Sequence, residues 1–243
     1  GFLRTFFVKK IKNNQIYLEY SMVNLNKQGN IYTLTFEEEG GNALDLELVQ
    51  AIHLALDEVQ EDSKGPCGLI LTATGKSFSS GLSLLKITSY NSEQVLTFSN
   101  EMQRLYGRLV NFPVPTVAAL NGHAFAGGAF LALCCDYRVM RSDKGWFCIS
   151  EIDVGVSIVP EIMAVAKLKL SRNVLRDAVL TGKRFSGEDC LRLGICDAIS
   201  EEQELLDTAK EIIAPIALKK RQIFKNFKTT LYGDCAKGMG VGR

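Results

Sequence analysis

Hydrophobic positions recur with two different periods along the first two-thirds of the chain. Residues 31–36 (IYTLTF) alternate between apolar and polar side chains, as a half-buried strand does. Residues 45–60 instead place their apolar side chains on one face of a helix. Further elements follow, with strands expected at 67–72, 115–120, 136–140 and 146–150 and helices at 92–110 and 129–135. Strands that alternate with helices in this way predict an α/β domain with parallel strand pairing.

The two ends of the chain differ from this pattern. Beyond Pro160 the sequence is almost wholly helical, and it ends in a basic amphipathic stretch, 217–231. No Pro/Ser-rich linker interrupts it, so one domain is expected over residues 22–243, with a helical portion from about residue 160. In residues 1–21 basic and large apolar side chains are interleaved, with no acidic residue before Glu19. We expect this segment to be a leader or transit-like stretch outside the fold.

Composition and charge exclude several classes of function. The 28 basic and 27 acidic side chains give a net charge of +1, so no electrostatic footprint for nucleic acid is present. No apolar run approaches the ~20 residues that a membrane span needs. The seven cysteines form no CxxC pair and no disulfide framework, which favours reduced thiols. A metal site is not expected, because His53 and His123 lie apart with no cluster of ligands around them.

Two glycine-containing loops stand where an apolar strand ends and a helix begins. They are residues 78–82 (FSSGL) and 122–128 (GHAFAGG). The first amides of a helix have no internal acceptor and their dipoles favour negative charge, while glycine lets a ligand approach the backbone. Two such amides that converge on one carbonyl oxygen would form an oxyanion hole. Taken singly, each loop is as readily explained as a plain chain reversal.

Other motifs do not fit these loops. Neither loop has the spacing of a phosphate-binding P-loop or of a dinucleotide-binding GxGxxG turn. The first loop also lacks the second glycine of a nucleophile elbow. The loops therefore favour stabilisation of an oxyanion over binding of a nucleotide phosphate.

Three segments, in order and spacing, resemble the crotonase (enoyl-CoA hydratase/isomerase) superfamily. Residues 75–87 (GKSFSSGLSLLKI) are similar to its first oxyanion loop, and residues 121–140 (NGHAFAGGAFLALCCDYRVM) to its second loop and buried helix. Residues 150–156 (SEIDVGV) are similar to the segment with the family's acid/base glutamate. The resemblance covers about residues 29–231. It implies a spiral of ββα units, with the backbone amides of Leu82 and Gly127 as the oxyanion donors.

One departure from the family pattern bears on the reaction. The resemblance implies that hydratases of the family use two glutamates, but here one of the two positions holds Phe130 and the other holds Glu151. A phenyl ring can neither hold nor deprotonate water. A single carboxylate in an apolar setting instead suits the movement of a proton between two carbons. The resemblance thus implies a Δ3-Δ2-enoyl-CoA isomerase of fatty acid β-oxidation, most like the peroxisomal type, with Glu151 as its acid and base.

Further residues are expected to contact the substrate besides the donors: Ser80, Gly81, Phe125, Gly128, Phe130, Trp146 and Lys220. Phe125, Phe130 and Trp146 are candidates for the acyl pocket, with plain core packing as the alternative. For Lys220 the resemblance suggests contact with the phosphates of coenzyme A, which could lie across a subunit boundary, and the alternative is a solvated helix face. Ser83 stands where the family usually has an aspartate, which leaves open how the first loop is anchored. No cofactor beyond the coenzyme A moiety of the substrate is implied. A trimer or hexamer is implied, in the peroxisome or alternatively the mitochondrion.

Two alternatives stay open at this point. The same fold could carry out another acyl-CoA reaction, such as hydrolysis, decarboxylation or weak hydration. The chain could also be a binding module that has lost catalysis, although the retention of Glu151 beside both glycine loops argues against this.

Overall fold

A computed structural model describes residues 8–12, 15–20, 22–37, 39–62 and 65–242 of the chain. The strands are β1 Val8–Lys12, β2 Gln15–Tyr20, β3 Val23–Gln28, β4 Ile31–Phe36, β5 Gly68–Ala73, β6 Ser77–Ser79, β7 Thr116–Leu120, β8 His123–Phe125, β9 Tyr137–Arg141, β10 Phe147–Cys148 and β11 Ala198–Ser200. The helices are α1 Leu46–Asp62, α2 Leu84–Ile87, α3 Ser92–Val110, α4 Gly127–Cys134, α5 Glu151–Val154, α6 Pro160–Lys169, α7 Arg172–Thr181, α8 Gly187–Arg192, α9 Leu205–Ala217 and α10 Arg221–Gly238.

These strands form a large and a small sheet. The large sheet has the order β1-β2-β3-β4-β5-β7-β9-β11, antiparallel from β1 to β4 and parallel from β4 onward. The small sheet has the order β10-β8-β6 and is wholly parallel. The predicted α/β class with parallel pairing and a helical C-terminal portion is confirmed.

The period of two in the strands divides the core into two layers. Along β7, Val117 and Ala119 pack with the inner face of α9, while Ala118 and Leu120 belong to the main core between the sheets and helices. Strands that are buried on both faces have nearly continuous apolar sequences, as β5 and β7 do. Each fully buried Val, Leu or Ile contributes about 1.5–3 kcal/mol to stability. This two-sided burial fixes the register of the strands that position the site.

Two strands of the N-terminal segment lie at the edge of the large sheet, where β1 pairs with β2 and β2 with β3. The physical reason is the β-favouring content of residues 15–20 (QIYLEY), which sits next to a strand with an open edge. The leader or transit-like character of residues 1–21 stays a prediction. Residues 1–7, 13, 14 and 21 lie outside the described residues.

Several elements depart from the sequence-based expectations. Residues 77–79 and 123–125 were expected to be loop and turn but form β6 and β8. The basic stretch 217–231 is not one helix, because α9 ends at Ala217 and α10 begins at Arg221. All seven cysteines are free thiols and only Cys235 is partly exposed, which agrees with core packing. Among the described helices, none combines the length and apolar character that crossing a membrane requires.

Candidate active site

The candidate site lies at one edge of the small sheet, just beyond the carboxyl ends of its three strands. Leu82 follows β6, Gly127 follows β8 and Glu151 follows β10, each within three residues of the end of its strand. Because the three strands are parallel, their carboxyl ends meet at the same edge. Segments that are far apart in sequence are therefore brought together by a sheet with strands of only two or three residues.

The first loop is held by residues that precede α1. Leu44 forms a parallel bridge with Leu82: the amide of Leu44 donates to the carbonyl of Gly81 at 2.7 Å, and the amide of Ser83 donates to the carbonyl of Leu44 at 2.9 Å. The buried side chain of Asn42 donates to the carbonyl of Ser77 at 2.8 Å. In a parallel bridge of this register, the amide of Leu82 points away from Leu44.

The second loop is pressed against the first. Gly81 has φ +93°, and a β-carbon added to it would lie 2.9 Å from Cβ of Ala126 and 3.4 Å from the amide nitrogen of Gly127. Ala126 itself has φ 49° and ψ −121°, a conformation that costs a non-glycine residue about 1–3 kcal/mol. Its amide donates to the carbonyl of Cys148 in β10 at 2.8 Å. A strained conformation of this kind persists only where neighbouring segments fix it. Here the two loops and β10 fix the conformation of Ala126.

The two predicted donor amides are free to bind a ligand. Within the described ranges, neither the amide of Leu82 nor that of Gly127 donates to an acceptor in the protein. Gly127 is the first residue of α4, where an amide has no acceptor within the helix. Two unpaired amides in adjoining loops form a setting that favours a carbonyl oxygen with developing negative charge.

Glu151 supplies a buried carboxyl group at this edge. It is the first residue of α5 and is 8% exposed, and its Oε2 has no hydrogen-bond partner among the described residues. Burial raises the pKa of Glu151, and a hydrogen bond with its own backbone offsets part of this effect. A carboxyl group with a raised pKa and a free oxygen holds a proton more readily than an ordinary glutamate and can accept and return it.

Phe130 and Tyr106 form an aromatic wall beside the donors. Phe130 lies on α4 and is 1% exposed, and its ring centroid is 6.4 Å from that of Tyr106 on α3. The hydroxyl of Tyr106 donates to the carbonyl of Gly127 at 2.8 Å. Sequence reasoning missed Tyr106, because a lone tyrosine on an amphipathic helix has no distinguishing pattern. Its position on the apolar face of the predicted helix 92–110 was the available signal.

The anchoring question raised by Ser83 is answered by a different aspartate. Asp45 is 1% exposed; its Oδ1 accepts the amide of Leu48 at 2.8 Å, and its Oδ2 pairs with the ammonium of Lys86 on α2. The hydroxyl of Tyr90 adds a second tie by accepting the amide of Leu46 at 3.1 Å. One carboxylate thus caps the start of α1 and fastens α2, directly after the Leu82 donor.

The remaining residues predicted to bind substrate divide into two groups. Gly128 touches the first loop, since a β-carbon there would lie 2.5 Å from the carbonyl oxygen of Ser79, and Ser80 is an exposed member of that loop. Phe125 contributes its carbonyl to the contact with Gly81, while its ring faces His123 at 5.0 Å. Trp146 is 39% exposed, and its carbonyl accepts the amide of Ala124 in the second loop at 2.9 Å. Lys220 is exposed at the start of α10, and no contact between it and the two loops is found among the described residues.

Comparisons with known proteins show which family and fold this chain resembles. The family model described as "Enoyl-CoA hydratase/isomerase" matches residues 26–237. The chain is 30% identical to the peroxisomal enoyl-CoA delta isomerase 2 of Arabidopsis thaliana, over 90% of this chain and 92% of that protein. It is 27% identical to a short-chain-enoyl-CoA hydratase of Clostridium acetobutylicum, over 90% of each chain. An apo structure of the enoyl-CoA isomerase of Mycobacterium tuberculosis superposes with a TM-score of 0.82 at 28% identity, covering 90% of this chain and 95% of that one.

Proposed function

This chain belongs to the enoyl-CoA hydratase/isomerase family, and from that premise we propose that it isomerises 3-enoyl-CoA thioesters to 2-trans-enoyl-CoA. The family resemblance and the crotonase-like fold expected from the sequence are thereby confirmed. The isomerase assignment goes further than family membership, because relatives with isomerase and hydratase names are both present. It rests on the residues around Glu151.

The proposed reaction is a proton transfer along one face of the acyl chain. The thioester oxygen accepts hydrogen bonds from the amides of Leu82 and Gly127. The carboxylate of Glu151 removes a proton from carbon 2, and the electron pair of that C–H bond delocalises into a dienolate whose charge rests mainly on the thioester oxygen. The carboxyl group of Glu151 then returns a proton to carbon 4. The double bond moves from carbons 3–4 to carbons 2–3 with no net gain or loss of atoms or electrons.

The magnitudes of the two contributions are consistent with catalysis. A preorganised backbone donor contributes about 10²–10³ in rate, because its hydrogen bond strengthens as charge develops on the oxygen. A positioned acid/base group contributes roughly 10²–10⁴. The raised pKa of Glu151 supports the second contribution, since a base that works near neutral pH must also hold its proton long enough to deliver it.

The observation that carries the proposal is a single buried carboxyl group with an unpaired oxygen, that of Glu151. At the position where the resemblance implies a second glutamate, the chain has the buried ring of Phe130. Water addition requires polar groups that hold and deprotonate water, and an apolar ring provides neither. A single carboxyl group is sufficient for a proton shuttle between carbons 2 and 4.

The test is product analysis with a matched variant. Wild-type protein is incubated with 3-enoyl-CoA and, separately, with 2-trans-enoyl-CoA, and the acyl-CoA products are separated by chromatography. We expect isomerisation of the first substrate and little 3-hydroxyacyl-CoA from the second. Glu151→Gln should lower kcat by about 10²–10⁴ while acyl-CoA affinity changes little. Asp153→Asn is the matched control, because Asp153 is an exposed neighbour on the same short helix.

Hydration is the second candidate, since a relative of similar coverage is named a hydratase. Robust formation of 3-hydroxyacyl-CoA without isomerisation would overturn the isomerase proposal and favour the hydratase. Equal isomerase activity in wild type and Glu151→Gln would remove Glu151 from the mechanism.

We also infer the setting in which the enzyme works. The chemistry is a proton transfer, so the proposal requires no cofactor beyond the coenzyme A portion of the substrate. A peroxisomal location is supported by the name of the Arabidopsis relative, and a place in fatty acid β-oxidation is part of the same proposal. Assembly into trimers or hexamers is part of the same proposal. Light scattering and co-localisation with a peroxisomal marker would test these points, and a monomeric mass or a mitochondrial location would contradict them.

A further inference from the structure

We propose that Tyr106 is a positioning residue for the oxyanion hole, which it serves by fixing the first turn of α4 through its hydroxyl group. The proposal rests on the function proposed above, because it presumes that the amide of Gly127 receives the thioester oxygen. Tyr106 takes no part in the proton transfer between carbons 2 and 4. The contacts of Tyr106 nevertheless reach the residues that are proposed to carry out that step.

The contacts of Tyr106 concentrate on Gly127. The hydroxyl donates to the carbonyl oxygen of Gly127 at 2.8 Å, and a β-carbon added to Gly127 would lie 3.1 Å from the same hydroxyl oxygen. The same β-carbon would lie 3.3 Å from Cδ2 of Leu82. Gly127 is therefore packed against both the residue that bears the first donor and the hydroxyl of Tyr106.

The direction of the donor amide depends on a backbone that needs such support. The N–H of Gly127 belongs to the peptide group formed with Ala126, whose φ of 49° and ψ of −121° are rare for a residue with a side chain. The carbonyl on the other side of Gly127 accepts the hydrogen bond from Tyr106. Loss of this hydrogen bond leaves the strained turn free to relax, and a relaxed turn points the amide elsewhere.

Tyr106 also contacts the aromatic wall and lies within electrostatic reach of the base. Its ring packs against Phe130 with 47° between the ring planes. Burial, the neighbouring Cys134 thiol and the charge of Glu151 together raise the pKa of Tyr106 well above its usual value. The hydroxyl therefore stays protonated and continues to donate across the working range of pH.

A purely structural role for Tyr106 makes different predictions. A buried tyrosine with a satisfied hydroxyl is common in protein cores, and its removal lowers stability without acting on one catalytic step. A positioning role acts on the enolate-like state more than on the bound substrate, because the hydrogen bond to the oxyanion strengthens as charge develops. The two roles are separated by a split between kcat and KM and by a direct measure of the bound enolate.

The experiment compares Tyr106→Phe with Tyr32→Phe. Both variants remove one buried hydroxyl, and Tyr32 lies on β4, 3% exposed and outside the site. Isomerase kinetics are measured at a temperature at which unfolding curves show every variant to be folded. We expect Tyr106→Phe to lower kcat by about 10- to 100-fold with KM within about threefold, the size of effect that a small misplacement of a catalytic group produces. Tyr32→Phe should keep the wild-type kcat.

The second readout is independent of turnover. Acetoacetyl-CoA, a 3-ketoacyl thioester, binds as an enolate where an oxyanion hole stabilises it, and the enolate absorbs in the near ultraviolet. We expect the wild type to show this absorbance and Tyr106→Phe to lose most of it at saturating probe. Wild-type kcat and wild-type enolate absorbance in Tyr106→Phe would overturn the positioning role. Equal losses of kcat in Tyr106→Phe and Tyr32→Phe would also overturn it.

The two proposals can fail separately. If the wild type forms the enolate but does not isomerise 3-enoyl-CoA, the isomerase proposal fails, while the loss of enolate in Tyr106→Phe still supports the positioning role. If the wild type binds the probe without forming an enolate, the oxyanion hole is absent and the role of Tyr106 is overturned with it.

Discussion

Gly128 offers the sharpest test of how the two loops are held together. A β-carbon at Gly128 would lie 2.5 Å from the carbonyl oxygen and 2.6 Å from Cβ of Ser79, which is fully buried at the end of β6. Real β-carbons do not approach backbone atoms this closely, so Gly128→Ala must displace either α4 or β6. A displacement there moves the first turn of α4 away from the loop that contains Leu82.

The magnitude follows from two opposing effects. Overpacking of a well-packed interior typically costs about 1–3 kcal/mol, because the neighbours must shift. Replacing glycine by alanine inside a helix returns about 0.5–1 kcal/mol. We therefore expect a net loss of roughly 1–2 kcal/mol in the free energy of unfolding, since the nearest atom met is a buried backbone oxygen, which cannot rotate away. For a chain of this size, each kcal/mol lowers Tm by about 2–4 °C.

The loss of activity, expressed as a free energy, should be larger than the loss in the free energy of unfolding. The shift separates the amides of Leu82 and Gly127, and loss of one preorganised donor costs about 10²–10³ in kcat. Denaturant unfolding and isomerase kinetics measure the two effects on the same samples. Gly65→Ala is the matched control, because a β-carbon at Gly65 meets nothing within 4 Å. Wild-type stability together with wild-type kcat in Gly128→Ala would refute the view that close approach of α4 and β6 sets the oxyanion hole.

Three further predictions concern the base, the wall and the C-terminal helix. Burial raises the pKa of Glu151, so the folded protein becomes less stable as pH rises from the ordinary glutamate pKa through the raised one. Glu151→Gln should therefore be more stable than wild type at neutral pH. Tm measured against pH should show that this gain vanishes in acid. Phe130→Glu should allow 3-hydroxyacyl-CoA to form from 2-enoyl-CoA, and a product profile without it would weigh against Phe130 as the residue that excludes hydration. Lys228, 3% exposed and 2.7 Å from the carboxylate of Asp136, forms a buried ion pair; Lys228→Met should cost about 3–5 kcal/mol in urea unfolding, and a cost below 1 kcal/mol would contradict it.

Much of this fold was predictable because its main strands and helices are long and periodic. The buried runs that form β5 and β7 and the amphipathic patterns of α1 and α3 each carry one strong period. The small sheet was not predictable in the same way. β6 and β8 have three residues each and lie beside glycines, so their local sequence favours turns. Their extended backbone comes from pairing with each other and with β10, which a local pattern cannot express.

The candidate site shows the same division. The two glycine loops and Glu151 could be found from sequence, because each stands in a recognisable segment. Asp45 and Tyr106 could not, since their importance comes from contacts across 41 and 21 residues of chain. Trp146 and Lys220 stay predictions: the carbonyl of Trp146 accepts the amide of Ala124 in the second loop at 2.9 Å, and Lys220 is exposed at the start of α10.

The short parallel sheet explains why some residues of the candidate site could not be predicted from the local sequence. A reaction through an enolate needs two donors and a base around one small volume, and each strand of β10-β8-β6 ends within three residues of a group proposed for one of these roles. Strands of two or three residues have little stability of their own. Their geometry must therefore be imposed from outside, by the Leu44 bridge, by the bond from Ala126 to Cys148 and by Tyr106. The residues that hold such a site are consequently spread along the chain, and changes at those distant positions should act on kcat before they act on the fold.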